Sequence, residues 1–230
     1  MRSSGQVRQR GEPHGVVHLT TVHDPRDPRI LDKECASLAA AGYRVTLIAP
    51  AAPAESSVAG VRFHPLPAPR GRIERLLRTQ WRALRALRAS SARYLHIHDP
   101  ELLPLALLLR ARGWAVIYDI HEDYATALRA KPYLPRPVRP LAARLVAGLE
   151  GLAHRTCRTV VAERYYRERF PRAWPVLNYP RPPAGAACGP VAEADKGPPR
   201  LLYTGNVTEE RGAWNHAELI QHLPEIEVWL

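Results

Sequence analysis

Residues 94–124 have the sequence YLHIHDPELLPLALLLRARGWAVIYDIHEDY. Two short runs rich in β-branched and aromatic residues, 94–97 and 115–120, flank an apolar run of helical character, which predicts a strand–helix–strand unit. Each strand is followed by histidine and carboxylate residues: His98, Asp99, His121, Glu122 and Asp123. Ligands bind at the carboxyl edge of an open parallel sheet, so these side chains mark a candidate site.

The same alternation of strand and helix continues on both sides of this unit. Strands are predicted over 16–22, 44–49, 61–64, 94–97, 115–120, 158–162 and 175–177, and further helices over 30–41, 73–89, 141–153 and 164–170. The proline-rich segment 131–140 is predicted to be a rigid loop. This pattern predicts an α/β fold, a Rossmann-like doubly wound parallel sheet with right-handed crossovers.

Composition divides the chain into four segments. Residues 1–15 are polar and basic, without the apolar core of a secretory signal, and we expect a disordered tail. Residues 16–178 form the first domain, and residues 179–199, rich in Pro, Ala and Gly, form an interdomain linker. Residues 200–230 begin a second, Rossmann-like domain. Because about 30 residues cannot bury a core of their own, we expect either a truncated second domain or a tail packed on the first.

The net charge of +11 is concentrated in one segment, because residues 70–93 hold eight arginines and only Glu74 as an acidic residue. Such a cluster favours an anionic partner such as nucleic acid, a membrane surface or a phosphorylated substrate, although arginine also follows genomic base composition. Helix 73–89 carries an apolar stripe, namely Ile73, Leu76, Leu77, Trp81, Leu84 and Leu87. With residues 131–144 it predicts a basic surface for a membrane-bound or phosphate-bearing acceptor, or equally a core stripe with solvated arginines. Nucleic acid is the weakest alternative, because stacking platforms and recognition motifs are lacking.

Three cysteines without metal spacing indicate reduced thiols in a cytoplasm, and no apolar run reaches the roughly 18 residues that span a bilayer. We therefore expect a cytoplasmic protein, peripheral on the inner face of the membrane. Residues 23–29 form a charged loop that lacks the Gly-x-Gly-x-x-Gly fingerprint. In this region Arg29 and Lys33 are four residues apart and predict an anion site with the helix N-terminus, or equally a solvated charged surface.

The histidines at the strand ends are candidates for sugar or phosphate recognition, with neighbouring carboxylates to orient them. We predict a ligand-binding role for His121, a packing role for His96, and for Asp99 a helix cap that also contacts ligand. No metal site is predicted, because the spacing matches no closed zinc set and we expect alternate residues of the strand end to point apart. In the second domain, a glycine turn and a helix start suit a diphosphate, with Gly205, Asn206, Arg211 and Gly212 as its residues.

Several of these segments together resemble the bacterial family-4 glycosyltransferases of cell-wall and surface-polysaccharide synthesis, over residues 16–222. The segments that carry the resemblance are VHLTTVH at 17–23, DPRI at 27–30, AGYRVTLIAP at 41–50, HIHDPELLP at 96–104, VIYDIHEDY at 116–124 and LNYP at 177–180. The resemblance implies a GT-B architecture of two Rossmann-like domains, in which the first domain holds the acceptor and the second holds a nucleotide-sugar. It also implies a retaining transfer that needs no metal or other cofactor.

The resemblance assigns residues to roles. His121 matches the catalytic histidine placed against the donor sugar, and Gly205 and Arg211 match the loop that grips the donor diphosphate. We expect the acceptor, a lipid-linked or glycan molecule, to contact His23, Arg29, Lys33, His98, Asp99, Glu122 and Asp123. Because the chain lacks the family's Glu-x7-Glu segment, we expect no transfer by this chain unaided. The alternative is a non-catalytic Rossmann-like module that binds an anionic membrane surface or a phosphorylated ligand.

Overall fold

The computed structural model of the protein describes residues 14–53, 57–131, 134–179, 200–205, 207–209, 212–223 and 225–229. The chain divides into two compact units, Met1–Arg181 and Pro182–Leu230. Residues 1–13 of the predicted disordered tail, almost all of the predicted linker, and Asn206 and Arg211 of the predicted donor site lie outside the described residues. The assignment of Gly15 to that tail is wrong, because Gly15 is the first residue of a strand.

The first unit alternates strands and helices. Its strands are β1 Gly15–Leu19, β2 Arg44–Pro50, β3 Ser57–Val58, β4 Val61–Leu66, β5 Tyr94–Ile97, β6 Ala115–Ile120, β7 Arg158–Val161 and β8 Trp174–Pro175. Its helices are α1 (28–40, π-helical over Pro28–Cys35), α2 (72–89, with a π-helical turn Arg75–Thr79), α3 Leu103–Ala111, α4 Tyr124–Ala130 and α5 Val138–Thr156. Short 3₁₀ turns at Pro100–Leu102 and Arg164–Glu168 complete it.

The eight strands form one sheet in the order β3-β4-β2-β1-β5-β6-β7-β8, parallel except for the antiparallel β3. The predicted Rossmann-like α/β fold is thus confirmed. The strand order reverses between β1 and β5, since β2 and β4 lie on one side and β6 to β8 on the other. This reversal opens a crevice at the carboxyl ends of β1 and β5, the place where open parallel sheets bind ligands.

The two faces of the central strands differ in chemistry because successive side chains point to opposite faces. One face is apolar and packs against helices α2 and α3 through a large buried cluster that includes Leu19, Ile97 and Tyr118. A smaller apolar cluster joins α1 to β2 and β4. The other face of β1, β5 and β6 carries buried polar side chains, listed in chain order as His18, His96, His98, Asp119 and, partly buried, His121. Parallel strands covered on both faces are normally apolar throughout, so this polar layer points to a site.

Three sequence predictions differ from the structure. Helix α5 begins at Val138, inside the segment predicted to be a loop, because Pro140 lies in its first turn, where no backbone donor is lost. Helix α4 was not predicted. Most of the apolar stripe of α2 lies outside the core: Leu84 and Leu87 are buried, whereas Ile73, Leu76, Leu77 and Trp81 are 77%, 50%, 66% and 57% exposed.

The described part of the second unit contains strand β9 Arg200–Leu202, helix α6 Ala213–His222 and strand β10 Glu227–Trp229. The two strands pair in parallel, as in a βαβ start. Gly205 and Gly212 have φ angles of 154° and 80°, and Gly212 stands at the N-cap position of α6. Positive φ suits glycine, which explains glycine at these two positions of the turn.

Candidate active site

The candidate site lies where β1, β5 and β6 end, beside the reversal of strand order. Asp119, two residues before His121 on β6, is fully buried and is the centre of the site. Arg29 of α1 donates from Nε to Asp119 Oδ2 at 2.8 Å and from Nη2 to Oδ1 at 2.6 Å. Nδ1 of His98 and Nδ1 of His121 lie 3.3 and 3.4 Å from Asp119 Oδ2. Burial by itself raises the pKa of Asp119, but the nearby imidazoles of His121 and His98 and the guanidinium of Arg29 outweigh it and hold that pKa well below its usual range. Asp119 is therefore a buried anion.

His121 is oriented by this anion. Its Nδ1 faces Asp119, and its Nε2 lies 3.0 Å from Nε2 of His23 and 3.3 Å from the hydroxyl of Tyr124. A carboxylate on one ring nitrogen fixes the tautomer and leaves the other nitrogen to a substrate. The expectation that alternate residues of this strand end point apart is wrong, because residues two apart on a strand share a face.

His23 is the second imidazole of the site. Its Nδ1 lies 3.5 Å from Oδ2 of Asp27 and its Nε2 lies 3.3 Å from Oδ1 of Asp99. Burial opposes the charged form, but the hydrogen bond with Asp27 and the charge of Asp99 outweigh burial and raise the pKa of His23. The same hydrogen bond with His23 lowers the pKa of Asp27 to about 2. Asp27 and Asp99 therefore favour the charged form of the His23 imidazole.

Asp99 ties two strand ends together, and the prediction that it caps a helix is wrong. It stands at the N-cap position of the 3₁₀ turn, but its side chain accepts no capping hydrogen bond. Its Oδ2 instead accepts hydrogen bonds from Thr20 Oγ1 at 2.9 Å, from Thr21 N at 2.6 Å and from Thr21 Oγ1 at 3.2 Å. Three hydrogen bonds to the Asp99 carboxylate stabilise this arrangement more than the single hydrogen bond that a helix cap would make. Asp99 is buried, as is His98, so both position the site.

The predicted anion site at the start of α1 does not form. The helix N-terminal amides of Arg29 and Ile30 donate to Asp27 Oδ1, and the Arg29 side chain pairs with Asp119 and with the carbonyl of Val176. Lys33 Nζ donates to Asn178 Oδ1 at 2.7 Å. Because internal acceptors already bind these donors, both cations connect α1 to neighbouring segments.

Glu122 and Asp123 have different environments although they are adjacent. Asp123 is the N-cap of α4, accepting a hydrogen bond from Thr126 N at 3.2 Å, and it pairs with Arg169 at 3.1 Å. Asp123 therefore stabilises the start of α4 and its contact with Arg169. Glu122 is exposed and lines a cavity next to His23.

This cavity, of about 580 Å³, has a polar end and an apolar wall. His23, Asp99, Glu122 and Tyr124 form the polar end, and the cations Arg72, Arg75 and Lys131 lie on its lining. Its apolar wall comes from α2, α4 and α5 and contains Leu76, Leu128, Leu145, Val146 and Leu149. Two contributions were not predicted from the sequence: Tyr124 lines the cavity, and Thr21 donates hydrogen bonds to Asp99. Their signal was proximity in sequence, to His121 and to the end of β1 respectively.

Two further histidines, His18 and His96, lie deeper on the same sheet face. Burial lowers the pKa of His18 well below the usual value and that of His96 to about 3. His96 packs in the sheet as predicted, and its ring stacks on that of His98 with a distance of 4.8 Å between the ring centroids.

Within the described part of the chain, no helix combines the length and apolar character needed to cross a membrane.

Two solved structures share the fold of this chain. The chain is similar in structure to the sucrose-phosphate synthase of Thermosynechococcus elongatus, with a TM-score of 0.63, 16% identity, and coverage of 94% of this chain and 61% of the synthase. It is similar to the glycotransferase of kitacinnamycin, with a TM-score of 0.52, 16% identity, and coverage of 94% and 65%. The chain thus spans less than two thirds of each of these structures, and they support the fold. No curated protein sequence is significantly similar to the chain.

At the level of sequence, the family described as "Glycosyl transferase 4-like domain" matches residues 29–177. The matched segment contains nearly all of α1, strands β2 to β8, and the residues Asp119, His121 and Glu122 around which the site is built, whereas β1 precedes it. It covers well over half of the chain and confirms the resemblance to family-4 glycosyltransferases. This chain belongs to the glycosyl transferase 4-like domain family.

Proposed function

We propose that this protein is a glycosyltransferase of cell-surface polysaccharide or glycolipid synthesis, in which the first unit holds a lipid-linked acceptor. The sugar comes from a nucleotide-sugar bound by the second domain, and it is transferred with retention and without a metal cofactor. Family membership supports the reaction class. The choice of acceptor is supported by the cavity at the carboxyl edge of the sheet.

The cavity supports a lipid-linked acceptor because its two ends suit the two parts of such a molecule. At the polar end, His23, Glu122 and Tyr124 offer hydrogen-bond partners to the hydroxyl groups of a sugar. The apolar wall suits a hydrocarbon chain, since burial of each methylene group contributes about 0.8 kcal/mol. Arg72 and Arg75 on the lining suit the phosphate that joins the sugar to the lipid.

His121 is the proposed catalytic residue. Asp119 orients its ring through Nδ1, so Nε2 is directed toward His23 and Tyr124 at the polar end of the cavity. In the reaction, His121 hydrogen-bonds the transferring sugar and helps to stabilise the charge that develops as the nucleoside diphosphate leaves. Preorganised donors of this kind stabilise transition states because they need no reorganisation during the reaction. Gly205, Asn206, Arg211 and Gly212 are proposed to hold the diphosphate.

A second candidate function is a non-catalytic module that binds an anionic membrane surface. One observation favours it: the first half of α2 exposes Ile73, Leu77 and Trp81 on a helix rich in arginine. An exposed apolar stripe beside cationic side chains is typical of helices that lie in a membrane interface. Membrane binding is also compatible with transfer to a lipid-linked acceptor, so only activity separates the two functions.

The deciding experiment measures the transfer of radiolabel from uridine-, guanosine- and adenosine-diphosphate sugars into bacterial lipids that extract into organic solvent. It is run with the chain and with the chain joined to a complete donor-binding domain. The Ala127→Trp variant places a bulky ring in the cavity lining and is expected to lower labelling about tenfold or more, equivalent to about 1.4 kcal/mol.

The matched control is Thr126→Trp, an exposed neighbour on the same helix that does not line the cavity. We expect this variant to retain wild-type labelling. Labelling of water-soluble glycans alone would contradict the lipid-linked acceptor. If neither protein labels any acceptor while the chain binds anionic vesicles, the non-catalytic module replaces the proposed enzyme.

A further inference from the structure

Three histidines and one glutamate meet on the polar face of the sheet, deeper than the candidate active site. His18 of β1 and His96 of β5 are neighbours in the strand register, and His98 follows two residues after His96. Glu34 of α1 projects onto them from the helix that covers this face. Three of these side chains are buried and that of His96 is 11% exposed, and their potential ligand atoms lie within 4.8 Å of one another.

The geometry of the cluster converges on one point. All three imidazoles lie near one oxygen, Oε2 of Glu34. This atom is 3.9 Å from His18 Nδ1, 3.7 Å from His96 Nε2 and 4.0 Å from His98 Nε2. His18 Nδ1 and His98 Nε2 are 3.0 Å apart. Tetrahedral zinc with bonds of about 2.0–2.1 Å separates its ligand atoms by roughly 3.3 Å. The observed separations bracket that distance, so small side-chain shifts bring four ligands onto one ion.

Some polar atoms that face the centre of this cluster lack the hydrogen-bond partners that buried groups normally have. Among the described residues, neither oxygen of Glu34 accepts a hydrogen bond, and Nε2 of His96, the ring nitrogen nearest to Glu34, has no hydrogen-bond partner. Arg29 Nη2 lies 3.2 Å from Oε1 of Glu34, which leaves Oε2 facing the imidazoles. Buried polar atoms are almost always hydrogen-bonded, and the binding of an ion is one of the recognised explanations for exceptions.

The surroundings have two further features of a metal centre. Nδ1 of His98 lies 3.3 Å from Oδ2 of Asp119, and histidine ligands are usually held by such a carboxylate on the other ring nitrogen. A cavity of about 460 Å³ reaches the cluster, with His96 and Glu34 in its lining. An ion therefore has both a supported ligand and a path of entry.

We infer that His18, Glu34, His96 and His98 bind a divalent transition-metal ion, with zinc as the ion that this nitrogen and oxygen set suits. The ion cross-links β1, β5 and α1 and takes no part in sugar transfer. Three neutral imidazoles and one carboxylate are ligands that zinc favours. A second group, His98, Asp119 and His121, also lies within ligand distance. It is the weaker site because Arg29 already donates to both oxygens of Asp119.

The test is equilibrium binding of Zn²⁺ and of Co²⁺ to the chain after chelator treatment and dialysis. We expect about one ion per chain, a higher midpoint of thermal unfolding with zinc, and the intense visible absorption of four-coordinate cobalt. His96→Gln, at the edge of the cavity, is expected to weaken zinc binding at least about tenfold. The matched control is His64→Gln, an exposed histidine on β4, which should bind zinc as the wild type does.

His121→Gln separates the two groups of candidate ligands. If zinc binding survives His96→Gln but is lost in His121→Gln, the ion belongs to the second group and the assignment is wrong. If His96→Gln fails to fold, Glu34→Gln replaces it, because it keeps the size of the side chain and removes its charge. Absence of stoichiometric zinc and cobalt binding by the folded wild-type chain would overturn the inference, whatever the outcome of the activity assays.

Discussion

The guanidinium of Arg29 grips the carboxylate of Asp119 with two parallel hydrogen bonds of 2.8 and 2.6 Å, across 90 residues of sequence. This pair joins helix α1 to strand β6 at the carboxyl edge of the sheet. Asp119 in turn faces Nδ1 of His121. Arg29 therefore fixes the position of the carboxylate that orients the proposed catalytic histidine.

Removing the Arg29 cation should destabilise the fold strongly. In Arg29→Met, the anion of Asp119 stays buried without its main partner, and we expect a loss of about 3–5 kcal/mol in the free energy of unfolding. Arg29→Lys keeps the charge but loses the two-pronged geometry and should cost less. Urea unfolding of the three proteins measures this. Equal stabilities of Arg29→Met and wild type would show that the histidines around Asp119 suffice to hold it.

His121→Ala is expected to lower turnover by well over tenfold in a chain joined to a complete donor-binding domain, with the fold unchanged. The loss of one preorganised hydrogen-bond donor typically costs roughly 2.7–4 kcal/mol in the transition state. The measurement is the initial rate of sugar transfer, accompanied by circular dichroism. His64→Ala, on the exposed face of β4, is the control and should transfer at the wild-type rate. Unchanged turnover in His121→Ala would remove His121 from the mechanism.

The charge of His23 should make its contribution to stability depend on pH. Its pKa is raised in the folded state, because interactions with Asp27 and Asp99 outweigh burial. The stabilisation is therefore fully present below the unfolded pKa of about 6.5 and is lost as the pH rises through the folded pKa. The loss of stability in His23→Gln should be larger at about pH 5.5 than at about pH 8.5.

NMR titration measures the pKa of His23 in the folded protein directly. Asp27→Asn keeps a residue suited to an N-cap but removes the negative charge, so it should lower the pKa of His23. A His23 resonance that titrates at or below the value in the unfolded chain would contradict the predicted charge. The comparison of wild type with Asp27→Asn isolates one partner without removing the imidazole.

Helix α2 should bind anionic vesicles in sedimentation assays, and salt should weaken the binding because arginines on the surface are screened. Trp81→Ser removes an exposed apolar side chain from the stripe and should reduce binding. The control, Trp174→Ser, removes a similarly exposed tryptophan from the short strand β8 and should leave vesicle binding unchanged. Equal binding to neutral and anionic vesicles, or insensitivity to salt, would reject the electrostatic part of the prediction.

The alternation of strand and helix around residues 94–124 predicted the sheet correctly, because period-two and helical patterns are local properties of the chain. The position of His121 at the edge of the sheet followed from the same pattern. Helix α4 was missed because its short sequence carries no strong apolar period. The start of α5 was misplaced because proline in a first turn resembles proline in a loop.

The roles of individual polar side chains depended on the tertiary structure. Local sequence favoured Asp99 as a cap and Arg29 with Lys33 as an anion site, since neighbouring backbone amides were the only partners that sequence could identify. In the fold, Asp99 accepts hydrogen bonds from Thr20 and Thr21, and Arg29 donates hydrogen bonds to Asp119. The local pattern of side chains determines which elements form, whereas contacts between residues tens of positions apart exist only after the strands have paired. Those long-range contacts determine which charges are buried, which are paired and which remain available for chemistry.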